Sequence, residues 1–362
     1  MKYISIIILL ISNVSFAQNL NFEKQNEKTK KMCEHFIKQN NAPGMAVSIS
    51  YMGKIIFSKG FGYSDIENKI QVDPSKTKFR IASITKTITS STLAKLVELD
   101  SIDLKKSVYF YLDSLPKKKY DFTVKEVGGH LSGMIRVPSE EKWDDHKTYF
   151  RKDFYRVFDK DKLEFEPSSK FQYSNYGFKL LGLIIEKKCG KSLIECQRDL
   201  VIKKLNMNNT IPDIGKYDIN VTKFYSYEDK KTIETPVPKC IFRYAEGCYL
   251  STTEDLITLG NGFLYVDKLV KKGVFTEFIK TQKLNSGEKT GYGIGFISSN
   301  DFYGNFYYGH NGKYIGGMGM LNIYPKEKLV ISILLNTDTI KTSLDMLIQE
   351  ISFNYINEIE SN

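Results

Sequence analysis

The chain has 362 residues, with 52 Lys and Arg against 42 Asp and Glu, a formal net charge of +10. Apolar residues make up 41% and charged residues 26%, which excludes a disordered or collagen-like chain and allows a large packed core in one or two domains. Five Cys are too few for a disulfide scaffold, and the lysines are spread too evenly to form a nucleic-acid motif, so the charge reads as a generally solvated basic surface.

Met1 to Ala17 reads as a secretory signal. Lys2 gives the positive start, Ile4 to Ile11 the apolar run, and Ser15 and Ala17 the small residues before a cleavage point. No later stretch is long and apolar enough to predict a transmembrane helix. The expectation is an exported protein, periplasmic or secreted. Of its five cysteines, Cys33, Cys189, Cys196, Cys240 and Cys248, at least one stays free or pairs between chains; whether Cys240 and Cys248 pair stays open. With four His, no CxxC and no HExxH, neither a metal nor another cofactor is expected.

Glu23 to Lys38 predicts a helix, ended by Asn41-Ala42-Pro43-Gly44. Met45 to Tyr51 and Lys54 to Gly60 alternate as strands around Met52-Gly53, a hairpin. From Ser83 the pattern turns helical, with Ile84, Ile88, Leu96 and Leu99 roughly on one face. Helical segments are expected over Val124 to Val127, Tyr149 to Phe158, Tyr176 to Lys188 and Ser192 to Lys204. Strands return at Tyr292 to Ile297, Phe306 to Gly309, Gly317 to Tyr324 and Leu329 to Asn336, before a last amphipathic helix over Ser343 to Ile356. Strands at both ends and helices between them predict an α+β protein, with an antiparallel sheet built from both termini. The expected division is a signal at 1–17, an α/β sandwich from 18–72 and 235–362, and a mainly helical domain at 73–234.

Three places carry chemistry. Ser and Lys three apart on a helix share a face, so the amine can reach the hydroxyl as its base. The pattern occurs five times, but only Ser83-Ile84-Thr85-Lys86 opens an apolar helical run; the others sit in turns and polar loops. A plain helix-capping serine is the alternative. Tyr173-Ser174-Asn175 precedes a second helix. Its phenol serves as a base only where a cation such as Lys86 lowers its pKa, and its amide can bond a substrate carbonyl and Lys86. Gly309-His310-Asn311-Gly312 follows an aromatic strand, and its edge can offer a backbone N–H to join that of Ser83 in an oxyanion hole. A buried Tyr with a capping Asn, and a His in a hairpin turn, are the alternatives there. His35, His130 and His146 are weaker candidates.

Together these elements resemble the serine β-lactamase-like family, which includes class C β-lactamases, penicillin-binding proteins, D-amino-acid peptidases and related esterases. The likeness runs through Phe79 to Lys86, Phe122-Thr123-Val124 to Gly133, Phe165-Glu166-Pro167 to Gly177, Ala245-Glu246-Gly247 to Leu256, and His310 with its glycines. His130-Leu131-Ser132-Gly133, Phe224 to Tyr227 and Thr235-Pro236 look nearest the LACTB-like subgroup. The resemblance implies a β-lactamase/transpeptidase-like fold, an antiparallel sheet flanked by helices plus a mainly helical domain, with the site between.

The implied activity is a serine hydrolase forming an acyl-enzyme on Ser83 with a peptide, amide or ester. Lys86 and Tyr173 share the general-base role, Asn175 holds the substrate, and the N–H groups of Ser83 and Lys313 form the oxyanion hole. His310, followed by Asn311 and Gly312, stands where β-lactamases carry Lys-Thr-Gly. A neutral imidazole holds a carboxylate less well than a lysine, which leaves β-lactam hydrolysis in doubt. Lys313 and Glu246 replace small residues near the site. The rival expectations are a catalytically silent binding or assembly protein on the same fold, and a basic protein held to cell-wall polymer.

Overall fold

The computed structural model describes residues 20–139, 151–229, 231–235, 242–265 and 268–362. The expected signal at residues 1–17, His146, Cys240, Pro236 and the start of the helix expected from Tyr149 lie outside them. In chain order the strands are β1 (Gly44–Tyr51), β2 (Lys54–Asp65), β3 (Ile70–Gln71), β4 (Phe79–Arg80), β5 (Ile211–Pro212), β6 (Tyr225–Glu228), β7 (Lys231–Glu234), β8 (Tyr249–Ser251), β9 (Ile297–Asn300), β10 (Phe306–Tyr314), β11 (Gly317–Tyr324) and β12 (Leu329–Leu335). The α-helices are α1 (Glu23–Asn40), α2 (Thr85–Glu98), α3 (Val108–Tyr111), α4 (Val124–Gly128), α5 (Arg151–Lys160), α6 (Asn175–Cys189), α7 (Leu193–Gln197), α8 (Thr253–Leu264), α9 (Lys272–Ile279) and α10 (Leu344–Glu360).

Seven strands form one sheet in the order β3-β2-β1-β12-β11-β10-β9. The β1–β2 hairpin turns at Met52 and Gly53, both at positive φ. β1 then pairs antiparallel with β12, Val47 opposite Ile333, which joins the two ends of the chain at the middle of the sheet. Both faces of β12 are covered and all seven of its residues are buried. One face packs under α1 and α10 through Phe36, Val47, Ile331, Ile333, Leu347 and Ile351. The other meets α8 and the helical segments through Ile323, Val330, Leu334, Leu256 and Leu259.

The strand expected at Tyr292 to Ile297 begins only at Ile297. Gly291 and Gly295 take positive φ, and Tyr292 bridges to Ile297 across a tight loop. The aromatic strand runs on past Gly309 as far as Tyr314, so His310 lies within a strand and not in a turn. β9 pairs with β10 only over Phe306 to Gly309, which leaves the 310–314 edge of β10 free of that partner. Cys189 and Cys196 form a disulfide between the end of α6 and α7, and Cys33 is free and buried. No helix among the described residues is long and apolar enough to cross a membrane.

Candidate active site

The site is assembled where β10 meets the turn before α2. β4 pairs with β8 and is pinned by Arg80, which is buried. Its guanidinium bonds Asp213 at 3.0 Å and the Ile315 carbonyl at 2.7 Å, beside the β10–β11 turn. The chain then bends sharply. Ala82 takes a φ of 44°, a left-handed conformation that costs a residue with a Cβ, and a single 3₁₀ turn over Ala82–Ile84 leads into α2. Ser83 is therefore not a cap: the residue before α2 is Ile84, with no side-chain capping bond. Gly312 lies against this bend. A Cβ there would stand 2.3 Å from the Ile81 carbonyl oxygen and 3.0 Å from the Ser83 nitrogen, so only glycine lets the strand edge approach so closely.

α2 buries almost every residue, Lys86 included. Lys86 Nζ lies 3.1 Å from Ser83 Oγ, 2.9 Å from Asn175 Oδ1 and 2.9 Å from the Glu246 carbonyl oxygen. It also stands 4.9 Å from the centre of the Tyr173 ring and 5.3 Å from that of Phe178. Burial pulls its pKa down to about 7; the Glu246 carboxylate opposes that, while Arg243 and Arg136 add to it. A neutral amine has two N–H bonds and one lone pair. Asn175 Oδ1 and the Glu246 carbonyl can only accept, so they take both N–H bonds and leave the lone pair for the Ser83 hydroxyl.

Tyr173 and Asn175 reach this point because α6 starts at Asn175, capped by Ser174, whose Oγ accepts from Gly177 N at 2.9 Å. The 130–136 loop fixes that corner. Ser174 N donates to His130 Nδ1 at 3.1 Å, and Asn175 N to the Arg136 carbonyl at 2.9 Å. The Tyr173 hydroxyl is shielded from solvent and has no hydrogen-bond partner among the described residues. The expectation of a phenol activated by Lys86 is not met electrostatically. Burial pushes the Tyr173 pKa up, and the neighbouring Ser83 hydroxyl and Arg136 only partly counter it.

Ser83, Tyr173, Gly312 and Lys313 line one cavity of about 530 Å³, together with Arg136, which the sequence did not single out. Lys313 is exposed on its rim and not packed into the strand edge. Asn175 is buried with its carbonyl turned to Lys86. His310 is not on the cavity wall. It is 2% exposed and its Nε2 lies 2.8 Å from the Tyr292 hydroxyl, behind Tyr173. Burial and the Lys86 charge pull its pKa down to about 3, so it offers no cation. Glu246 does not obstruct the site either; its carboxylate is buried and meets Arg243 Nε at 2.9 Å. The Tyr292–His310 contact was invisible because neither residue type nor spacing marks it. Among the described residues no cluster of His, Cys, Asp or Glu is placed to hold a metal ion.

The Beta-lactamase family model matches residues 29–351. The human mitochondrial serine beta-lactamase-like protein LACTB is 26% identical, over 89% of this chain and 75% of its own length. Among solved structures, the octameric penicillin-binding protein homologue from Pyrococcus abyssi superposes with a TM-score of 0.79 at 24% identity, over 91% of this chain and 77% of that one. The D-amino acid amidase from Ochrobactrum anthropi gives 0.80 at 18% identity, over 92% and 99%. These structures share the β-lactamase/transpeptidase-like fold, an antiparallel sheet flanked by helices. With its matched span covering most of the chain, the protein belongs to the serine beta-lactamase-like family.

Proposed function

We propose that the protein is an exported serine hydrolase that forms an acyl-enzyme on Ser83 with a peptide, amide or ester. The observation that carries this reading is the hydrogen-bond arrangement at Lys86. Two obligate acceptors orient a buried amine of pKa about 7 so that its lone pair faces the Ser83 hydroxyl at 3.1 Å. That is what a general base for a serine nucleophile needs near neutral pH.

In the first half-reaction Ser83 Oγ bonds the substrate carbonyl carbon and its proton passes to Lys86 Nζ. In this reading the oxyanion is held by the backbone N–H groups of Ser83 and Lys313; the close approach of Gly312, the residue before Lys313, to the Ser83 nitrogen supports the pairing. Collapse breaks the bond to the leaving group, which takes a proton delivered through the neutral Tyr173 hydroxyl. Water then attacks the ester on Ser83, gives its proton to Lys86 and releases the acid, restoring the serine. Tyr173 thus relays a proton as a phenol, and Lys86 is the base. With His310 neutral and turned to Tyr292, β-lactam turnover is minor in this reading.

The test is the intact mass of the protein after exposure to a fluorophosphonate. One adduct, lost in Ser83→Ala, is the expected result. No adduct on the folded parent would shift the reading to a catalytically silent binding or assembly protein.

A further inference from the structure

The cavity does not end at Ser83. Besides Arg136, Tyr173 and Ser83 it is lined by Asn311, Gly312 and Lys313 of β10 and by residues of the sheet face that carries α1 and α10. There it is walled by Met318, Met320, Ile340 and Leu344. Met318 and Met320 lie two apart on β11 and share the face that α10 covers further along. α10 begins only at Leu344, and among the described residues Met318 at this end of the strand face is only half-buried. Met320 and Leu344, at 4% and 5% exposure, form the floor, and the half-buried Met318 and Ile340 form the walls. Thioether side chains re-pack easily around varied apolar shapes.

Charge is confined to the ends of this furrow. Lys313 stands solvated at the entrance. Asp345, at the far end, accepts a hydrogen bond from Gln349 Nε2 at 2.7 Å. Asn311 and Ser343 also line the cavity, but the four side chains Met318, Met320, Ile340 and Leu344 offer no hydrogen bond to a polar chain, which would lose its bonds to water against them. Because the furrow opens into the same space as the Ser83 hydroxyl, what fills it is attached to the reacting group.

We infer that the furrow receives an unbranched apolar group carried by the substrate, so that Ser83 acts preferentially on lipophilic esters or amides. This inference rests on the serine-hydrolase reading above. Each methylene that enters the furrow should raise kcat/KM about fourfold until the furrow is full.

The experiment measures kcat/KM of the full chain on 4-nitrophenyl acetate, butyrate, hexanoate and octanoate. The expected result is a rise of about fiftyfold or more from acetate to octanoate. Met318→Lys and Ile340→Lys should each cut the octanoate-to-acetate ratio at least about tenfold. A flat or falling series, with acetate turnover that still depends on Ser83, overturns the furrow and leaves the hydrolase reading intact. If no ester is turned over, fluorophosphonate labelling decides the hydrolase reading and calorimetry on Ser83→Ala decides the furrow. Octanamide binding at least about tenfold tighter than butanamide, a difference lost with Met318→Lys, upholds it; equal binding overturns it.

Discussion

Glu246 acts on Lys86 in two ways: its backbone carbonyl accepts from Nζ at 2.9 Å, and its buried carboxylate holds the Lys86 pKa up against the pull of burial. The same carboxylate stays ionised although buried, because Arg243, Lys179 and Lys86 surround it. Glu246 thus tunes the base without lining the cavity.

Glu246→Gln keeps the carbonyl contact and removes the charge. The Lys86 pKa then falls further, and the acid limb of the pH–rate profile moves to lower pH. Folding stability drops by about 3 kcal/mol, because the Arg243 guanidinium loses the buried negative charge opposite it. Kinetics across pH and denaturant unfolding read the two effects separately. An acid limb that moves up would contradict the electrostatic role.

Tyr173→Phe removes a hydroxyl that has no hydrogen-bond partner among the described residues. Turnover should fall about 10²- to 10⁴-fold through loss of the proton relay. Stability should stay level or rise by about 1 kcal/mol, since an unpaired buried polar group is gone. Steady-state kinetics beside thermal unfolding test this. A variant with full turnover, or one strongly destabilised, contradicts it.

Gly312→Ala places a methyl group 2.3 Å from the Ile81 carbonyl oxygen. Backbone must move, and it is the backbone that sets Ser83 against β10. The cost is about 1–3 kcal/mol of stability and at least about a hundredfold in phosphonylation rate. Parent-like labelling would show that the strand edge has more room than the structure gives it.

His130 and His310 are both buried and neutral. Burial lowers both pKa values, His130 well below the ordinary value and His310 to about 3, with the Lys86 charge adding to the effect. The unfolded chain binds these protons from about pH 6.5 downward, while the folded one does not. Stability contributed by the two is therefore present above that pH and lost as pH falls, by about 2 kcal/mol per histidine at pH 5. Denaturant unfolding at pH 7.5 and pH 5 measures it. Equal stability at both would contradict the burial of the two rings.

Much of this was legible in the residues. The β1–β2 hairpin follows from alternating apolar residues around Met52-Gly53, and α10 from the 3.6-residue period after Ser343, which caps it. α2 was harder. Its expected apolar face included Leu99, which is 56% exposed, while Thr87, Ser91 and Thr92 are buried. A helix packed on all sides has no amphipathic stripe to read, and the hydroxyls of Thr87, Ser91 and Thr92 bond the helix carbonyls of Ile84, Thr87 and Ile88. The sequence predicts no helix over α8 or α9. Arg136 reaches the cavity through loop geometry alone, and the Tyr292–His310 contact depends on two glycine-shaped bends that leave no periodic signal.

The most direct test of the Lys86–Ser83 account is the rate of Ser83 phosphonylation by a fluorophosphonate as a function of pH. A neutral amine as base predicts a rate that rises about tenfold per pH unit on the acid side and levels off above an inflection near pH 7, with the label lost in Ser83→Ala. A rate that does not change with pH from 5 to 9, or labelling that survives Ser83→Ala, would contradict it.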